Sequence, residues 1–366
     1  MTQSRRMLVL RAVVEDYIRS QEPVGSTSLT RDHDLGVSSA TIRNDMSALE
    51  DEGYLIQPHT SAGRVPTEKG YRYFVDRLAT VVPLSEAQRR GINSFLSGSV
   101  SLKDALQRSA RLLSEITGQV AIVTSPSLAK ATLRHVEMVP VAMTTLLAVV
   151  ITDTGRVAQH GLTIASMPAV DEINRLSNTV NEQCVGLSLS KSAETVRSIA
   201  ASAGLADALA DAFESMALDE RADELYMSGT SHLAHSRPLA DLAPLFDALE
   251  EQVVLMKLMS NLSEETNASG VGVAIGSEMH TPGLLHASVV SSGYGRSGAA
   301  GEPAGNDPVG EPETESETES QTNDTEPIAF VGSIGPTHMD YAATMAAVRA
   351  VARYLTAFLS EGRTQD

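Results

Sequence analysis

The sequence predicts an α+β protein of two or three domains, and three observations carry that prediction. The first 70 residues pattern as three short helices followed by two strands around a loop. Residues 119–164 hold four short segments of strand character. A helical stretch rich in Ala, Asp and Glu, 168–225, separates these from further strands near 271–290 and 328–331. With 366 residues and 42% hydrophobic side chains, the chain can fill cores of that number.

From Arg5 to Ser20, Met7, Leu10, Val14, Tyr17 and Ile18 recur at helical spacing and leave Arg5, Arg6, Arg11 and Arg19 outside the stripe. Pro23, Gly25 and Ser26 interrupt this helix, and Ser26 is expected to cap a second through about Asp32. Leu35-Gly36 turns the chain. Ser38 or Ser39 caps a third helix, with Ile42, Met46 and Leu49 on one side and Ala40, Arg43, Asn44 and Ser47 on the other, and Gly53 stops it. Tyr54 to Ile56 reads as a strand, Pro58 to Gly63 as a loop in which Gly63 is expected to take positive φ, and Arg64-Val65-Pro66 as the returning strand. This is the layout of a winged helix-turn-helix, predicted over 1–77.

Residues 78–117 are expected to form a helical linker region ended by Gly118. Gln119–Thr124, Leu133–Val141, Leu146–Thr152 and Val157–Ile164 then suit an antiparallel meander, its last turn being Asp153-Thr154-Gly155. An antiparallel sheet domain is predicted from 118–167 and 226–360, with 168–225 inserted as helices. Its second part holds strands at Val271–Ile275 and Leu284–Val290, a long helix from Leu242 to Leu262, a strand at Ile328–Val331, and a final helix with Tyr341, Met345, Val348, Leu355 and Leu359 in phase. Residues 295–327 carry almost no large apolar side chain, cannot offset the entropy of ordering, and are predicted to be a disordered loop.

Net charge is −18, a field that repels phosphates, so any contact with nucleic acid must be local. Nine acids and no base fall within 302–326, whereas residues 1–77 are nearly neutral, with ten Lys/Arg against eleven Asp/Glu. One cysteine, Cys184, excludes an internal disulfide framework and fits a small buried side chain in a reducing compartment. Arg5 and Arg6 precede a stretch broken by charges, which gives no signal peptide, and the most apolar run, Thr144 to Ile151, is far shorter than the ~20 residues of a membrane-spanning helix. A cytoplasmic, nucleoid-associated protein without a membrane partner is expected.

A third helix laid in the major groove reads base edges from its first turns. Arg43 suits guanine O6 and N7, Asn44 suits adenine, and Ser38, Ser39 and Thr41 can donate to phosphate beside the helix amino end, with Ala40 and Ser47 on the same exposed side. In the loop, His59, Thr60, Ser61 and Arg64 supply donors, and Lys69, Arg72 and Arg77 can add backbone contacts. These eleven helix and loop residues (Ser38, Ser39, Ala40, Thr41, Arg43, Asn44, Ser47, His59, Thr60, Ser61 and Arg64) are the candidate DNA-binding set. No metal or cofactor site is expected: His160, His280 and His286 are scattered, and Gly270-Val271-Gly272-Val273-Ala274 is only part of a dinucleotide motif.

The runs Val37 to Met46, Gly53-Tyr54-Leu55, Gln57 to Thr67, Lys69 to Arg72 and Ile334 to Tyr341 resemble the HrcA family of heat-inducible transcription repressors. That resemblance implies a winged helix, a GAF-like sheet domain and an inserted dimerising domain. It further implies a homodimer that binds an inverted-repeat operator, CIRCE, in double-stranded DNA upstream of chaperone genes, and a GroE chaperonin that keeps the repressor competent. The acidic loop and the Ala-rich insertion depart from the family pattern. An alternative reading is a winged-helix regulator whose GAF-like domain answers to a small molecule; nothing in the sequence identifies a ligand.

Overall fold

The computed structural model describes residues 2–60, 62–79, 84–199, 204–218, 224–231, 249, 252–264, 270–295 and 327–361. The predicted acidic loop, apart from Gly295 and Pro327, and the first part of the helix expected from Leu242 therefore lie outside the described residues.

The amino-terminal unit has α1 (Thr2–Ser20), α2 (Ser26–Asp32), α3 (Ser39–Asp51) and a hairpin of β1 (Leu55–Ile56) and β2 (Val65–Pro66). Val9, Leu10, Val13 and Val14 of α1, Leu29 of α2 and Ile42, Met46 and Leu49 of α3 are buried together. Arg5 closes this unit by donating from Nε and Nη2 to Asp45 at 2.7 and 3.1 Å, so the buried Asp45 keeps its charge paired. Ser38 caps α3, accepting from Thr41 N–H, whereas α2 begins at Ser26 itself and Gly25 caps it without a side chain.

The chain continues from Thr67 into α4 (Glu68–Tyr73) and a π turn, Phe74–Leu78, a helix the sequence reading does not anticipate. This segment seats the unit on the rest of the molecule. Arg72 bridges to Glu278 and donates to the Val273 carbonyl, and Glu68 accepts from Ser277 Oγ. Tyr71 packs on Tyr341 with ring centroids 5.9 Å apart, and Tyr17 meets His338 edge-on. Burial pushes the Tyr71 and Tyr341 phenols up, so both remain neutral.

The central domain is a five-stranded antiparallel sheet of β3 (Val120–Thr124), β7 (Leu225–Ser228), β8 (Gly272–Ile275), β9 (Ala287–Tyr294) and β10 (Ala329–Pro336), in the order β7-β3-β10-β9-β8. Strand alternation divides its faces. Ala121, Val123, Val290 and Val331 share a core with α6 (Leu102–Thr117) and the final helix, α11 (Tyr341–Glu361). Val120, Ile122, Val289 and Ile334 face α10 (Gln252–Glu264). Here α6 differs from expectation: Leu106, Ala110 and Leu113 are buried, so the second half of the supposed linker is a core helix, while α5 (Glu86–Leu96) buries Ile92 and Leu96 outside that cluster.

The expected four-strand meander does not form. β3 pairs with β10 and β7, and only β4 (Leu133–Ala142), β5 (Thr145–Thr152) and β6 (Val157–Thr163) make a meander, in a separate three-stranded sheet. That sheet shares its own core, from Leu128 to Met216, with α7 (Val170–Cys184), α8 (Leu189–Arg197) and α9 (Leu205–Leu218). The excursion between β3 and β7 thus takes in strands as well as the helices of 168–225. The physical reason is pairing: alternation fixes which face a strand buries, not which strand lies beside it. Leu225 starts β7 where the helical stretch was expected to end, and Leu284 falls in a 3-10 turn ahead of β9.

Among the described residues one helix, Tyr341–Ser360, is long and apolar enough to cross a membrane. It is half buried, and Tyr341, Met345, Val348, Val351 and Leu355 are in the protein core, so its apolarity is accounted for by the sheet it covers.

Candidate nucleic-acid interface

Helix α3 presents Ala40, Arg43 and Asn44 to solvent because its opposite side is committed to Ile42, Met46 and Leu49 packing. Ser38 is exposed, and Ser39, Thr41 and Ser47 are half-buried. The Ser38 and Thr41 hydroxyls lie 3.0 Å apart and satisfy each other at the helix start. They hold α3's first turn, with one hydroxyl hydrogen left for a phosphate.

A cleft of about 410 Å³ separates α3 from the hairpin loop and the start of α2. It gathers four of the predicted residues, Arg43, Ser47, Thr60 and Arg64, with Thr27 and Gln57, which the candidate set omits. Gln57 shapes the loop by donating from Nε2 to the carbonyls of Thr60 and Ala62 at 3.1 and 2.9 Å. Thr27 follows only from three dimensions, since a residue at the start of α2 carries no spacing relation to α3. His59 and Thr60 are exposed on the loop, and Ser61 lies outside the described residues.

Arg64 is tied into the unit as well as lining the cleft. Its Nε donates to Glu50 Oε2 at 2.8 Å and its side chain is 16% exposed, so α3 holds the guanidinium. Its backbone pairs with Val24 through reciprocal hydrogen bonds of 2.8 and 2.9 Å, a single-residue antiparallel bridge at the end of the hairpin. Gly63 takes part in the same approach: a Cβ there would stand 2.3 Å from the Val24 carbonyl oxygen. Close backbone approach, not positive φ, is what demands glycine at 63.

Charges in this unit are largely spent on one another. Arg5 and Arg6 pair with Asp45 and Glu52, Arg11 with Glu15, Arg19 with Asp16, Arg31 with Asp32, Arg64 with Glu50 and Arg72 with Asp76 and Glu278. Lys69 donates to the Glu52 carbonyl and lies over the Tyr54 ring. Among the described residues, Arg43 and Arg77 alone of the ten cations have no such partner. Only Arg43 of these two lines the cleft. An unpaired guanidinium beside neutral Ser, Thr and Gln side chains is suited to a polyanion whose specificity lies in hydrogen-bonding edges.

Both faces of the five-stranded sheet are covered by helices. A cleft of about 630 Å³ at the β8 edge is lined by Arg72, which pairs with both Asp76 and Glu278 there, by Asn261 and His280, and by apolar side chains.

The family model "HrcA protein C terminal domain" matches residues 103–345. The heat-inducible transcription repressor HrcA of Bifidobacterium longum (strain DJO10A) is 96% identical, with the alignment covering 100% of both chains. The repressor of the same name from Bifidobacterium adolescentis is 72% identical, again over 100% of both. Among solved structures, one described as a hypothetical protein is similar in fold, with a TM-score of 0.56 at 20% identity and 98% of each chain covered.

Proposed function

Because the chain belongs to the HrcA family of heat-inducible transcription repressors, we propose that it binds, as a dimer, an inverted-repeat CIRCE operator in chaperone-gene promoters through α3 and the β1–β2 hairpin. It is a regulator and not an enzyme. The observation that carries the DNA-facing assignment is Arg43, unpartnered among the described residues in a cleft otherwise lined by neutral or already paired side chains. In this reading Arg43 and Asn44 reach base edges, Ser38, Ser39 and Thr41 approach phosphate, and His59, Thr60 and Ser61 touch the backbone beside the groove, with Ala40 and Ser47 completing the surface. Arg64 positions the hairpin.

Dimerisation is supported by the outer face of the three-stranded sheet. Val139 and Val141 of β4 and Val157 of β6 are exposed there, Met143 stands at the β4–β5 tip, and Leu147, Val149 and Ile151 of β5 alternate with the buried set. Such a face suits a self-complementary contact across a two-fold axis. Two DNA-binding units fixed in this way occupy both operator arms and exclude polymerase.

Because linked half-sites bind with raised effective concentration, loss of the dimer on heating releases the operator by mass action. A repressor that unfolds partially needs the GroE chaperonin to regain its active form, which couples repression to free chaperonin. Acting on chromosomal promoters places it in the cytoplasm at the nucleoid. Footprinting on chaperone-gene promoters, with and without chaperonin, tests this: protection of an inverted repeat that chaperonin strengthens is expected, and absence of any protected repeat contradicts it.

A further inference from the structure

Away from the DNA-facing unit, α5 and α11 enclose a cleft of about 560 Å³ whose lining includes Arg89, Arg349 and Arg353 and, among the described residues, no acidic side chain. None of the three arginines has a hydrogen-bond or ion-pair partner among the described residues. Tyr354 and Phe358, stacked with centroids 6.2 Å apart, line the same cleft. In a chain of net charge −18, three unmatched guanidinium groups around one cleft repel each other and attract an anion.

The source of that anion is close in the chain. The described structure leaves β9 at Gly295 and resumes at Pro327, and Gly295 stands against α11: its N–H donates to Thr356 Oγ1 at 3.0 Å, and it lies beside Leu359 and Ile328. Thr356 is one turn from Arg353 and two from Arg349, about 5 and 11 Å along the axis at 1.5 Å per residue. The seven residues from Gly295 to Glu302 can span up to about 23 Å, so the first carboxylate of the acidic stretch reaches the cleft without strain. Tethered at both ends beside α11, nine acids without a base are held near the arginines at high effective concentration.

We propose that the acidic stretch 302–326 occupies the α5–α11 cleft of its own chain, with its carboxylates on Arg89, Arg349 and Arg353. The bonds are charge-assisted and solvent-accessible, so occupancy depends on salt.

The test uses the full chain and a glutamate-specific protease, following cleavage after Glu313, Glu315, Glu317 and Glu319 by mass spectrometry. At low salt the wild-type stretch is cut slowly, and Arg349→Glu with Arg353→Glu accelerates cutting by about fivefold or more. Arg89→Glu, on the other wall, acts in the same direction and keeps the comparison available if the double variant does not fold. Arg90→Glu, on α5 but outside the cleft lining, leaves the rate unchanged. Equal cutting of wild type and the cleft variants overturns the proposal. Protection that fades on dilution overturns it as well, because the occupant is then the stretch of a second copy.

Discussion

The guanidinium of Arg64 is bound to Glu50, Nε to Oε2, at 2.8 Å, so the helix beside which the hairpin stands also holds the hairpin's single arginine. From sequence alone Arg64 reads as a phosphate contact. A lost phosphate contact reduces the salt dependence of binding by about one unit. The pairing with Glu50 predicts otherwise: Arg64→Ala weakens operator binding with the salt slope nearly unchanged. Glu50→Ala has a similar effect, and the pair shows a coupling of about 1 kcal/mol in a double-mutant cycle of stability. A slope reduced by a full unit restores the phosphate role.

Arg43→Ala removes no intramolecular bond among the described residues, so thermal stability stays within about 0.5 kcal/mol of wild type. Operator affinity falls by about 1–3 kcal/mol and discrimination among base substitutions narrows. Gel-shift titration against a panel of operator variants checks both, and an unchanged affinity removes Arg43 from the interface.

Val141 is 65% exposed on the outer side of the inserted sheet, so Val141→Glu leaves that unit's core intact. Sedimentation of the variant is expected to show monomers. Its affinity for a complete inverted repeat drops by about 10²–10⁴-fold while binding to a single arm is preserved. A variant that sediments as wild type places the dimer contact elsewhere.

Cys184 ends α7 fully buried in the core of the inserted unit, and burial pushes its thiol up from the ordinary range, so little thiolate is present at neutral pH. Its reaction with a disulfide reagent therefore waits for the unit to open. Labelling is expected to be slow at room temperature and to accelerate on heating in step with operator release. Complete labelling of the native protein within seconds would contradict the packing described.

Much of this architecture is legible in the residues. The inward set Ile42, Met46 and Leu49, the cap at Ser38, the stop at Gly53 and the phase of Tyr341, Met345, Val348, Leu355 and Leu359 all stand where periodicity puts them. What periodicity omits is partnership. β3 pairs with β10, some 210 residues later, and no local signal at Val120–Thr124 distinguishes that neighbour from β4. β7 is hidden because Leu225 to Ser228 are all half-buried and show no alternation. Within the DNA-facing unit, the outward position of Arg43 follows from helical phase, but its lack of a partner among the described residues and the pairing of Arg64 with Glu50 depend on how the chain folds back over the fourteen positions that separate them. Gly63 is expected from turn chemistry, yet it serves backbone approach to Val24.

The central claim is that two amino-terminal units, joined through the dimer, read two arms of one repeat. It is tested most directly by titrating the protein at low ionic strength against a chaperone-gene operator with both arms intact and with one arm scrambled. Two chains per duplex and an affinity loss of about 100-fold or more on scrambling are the predicted result. Equal affinity for both duplexes, or one chain bound per intact operator, would contradict it.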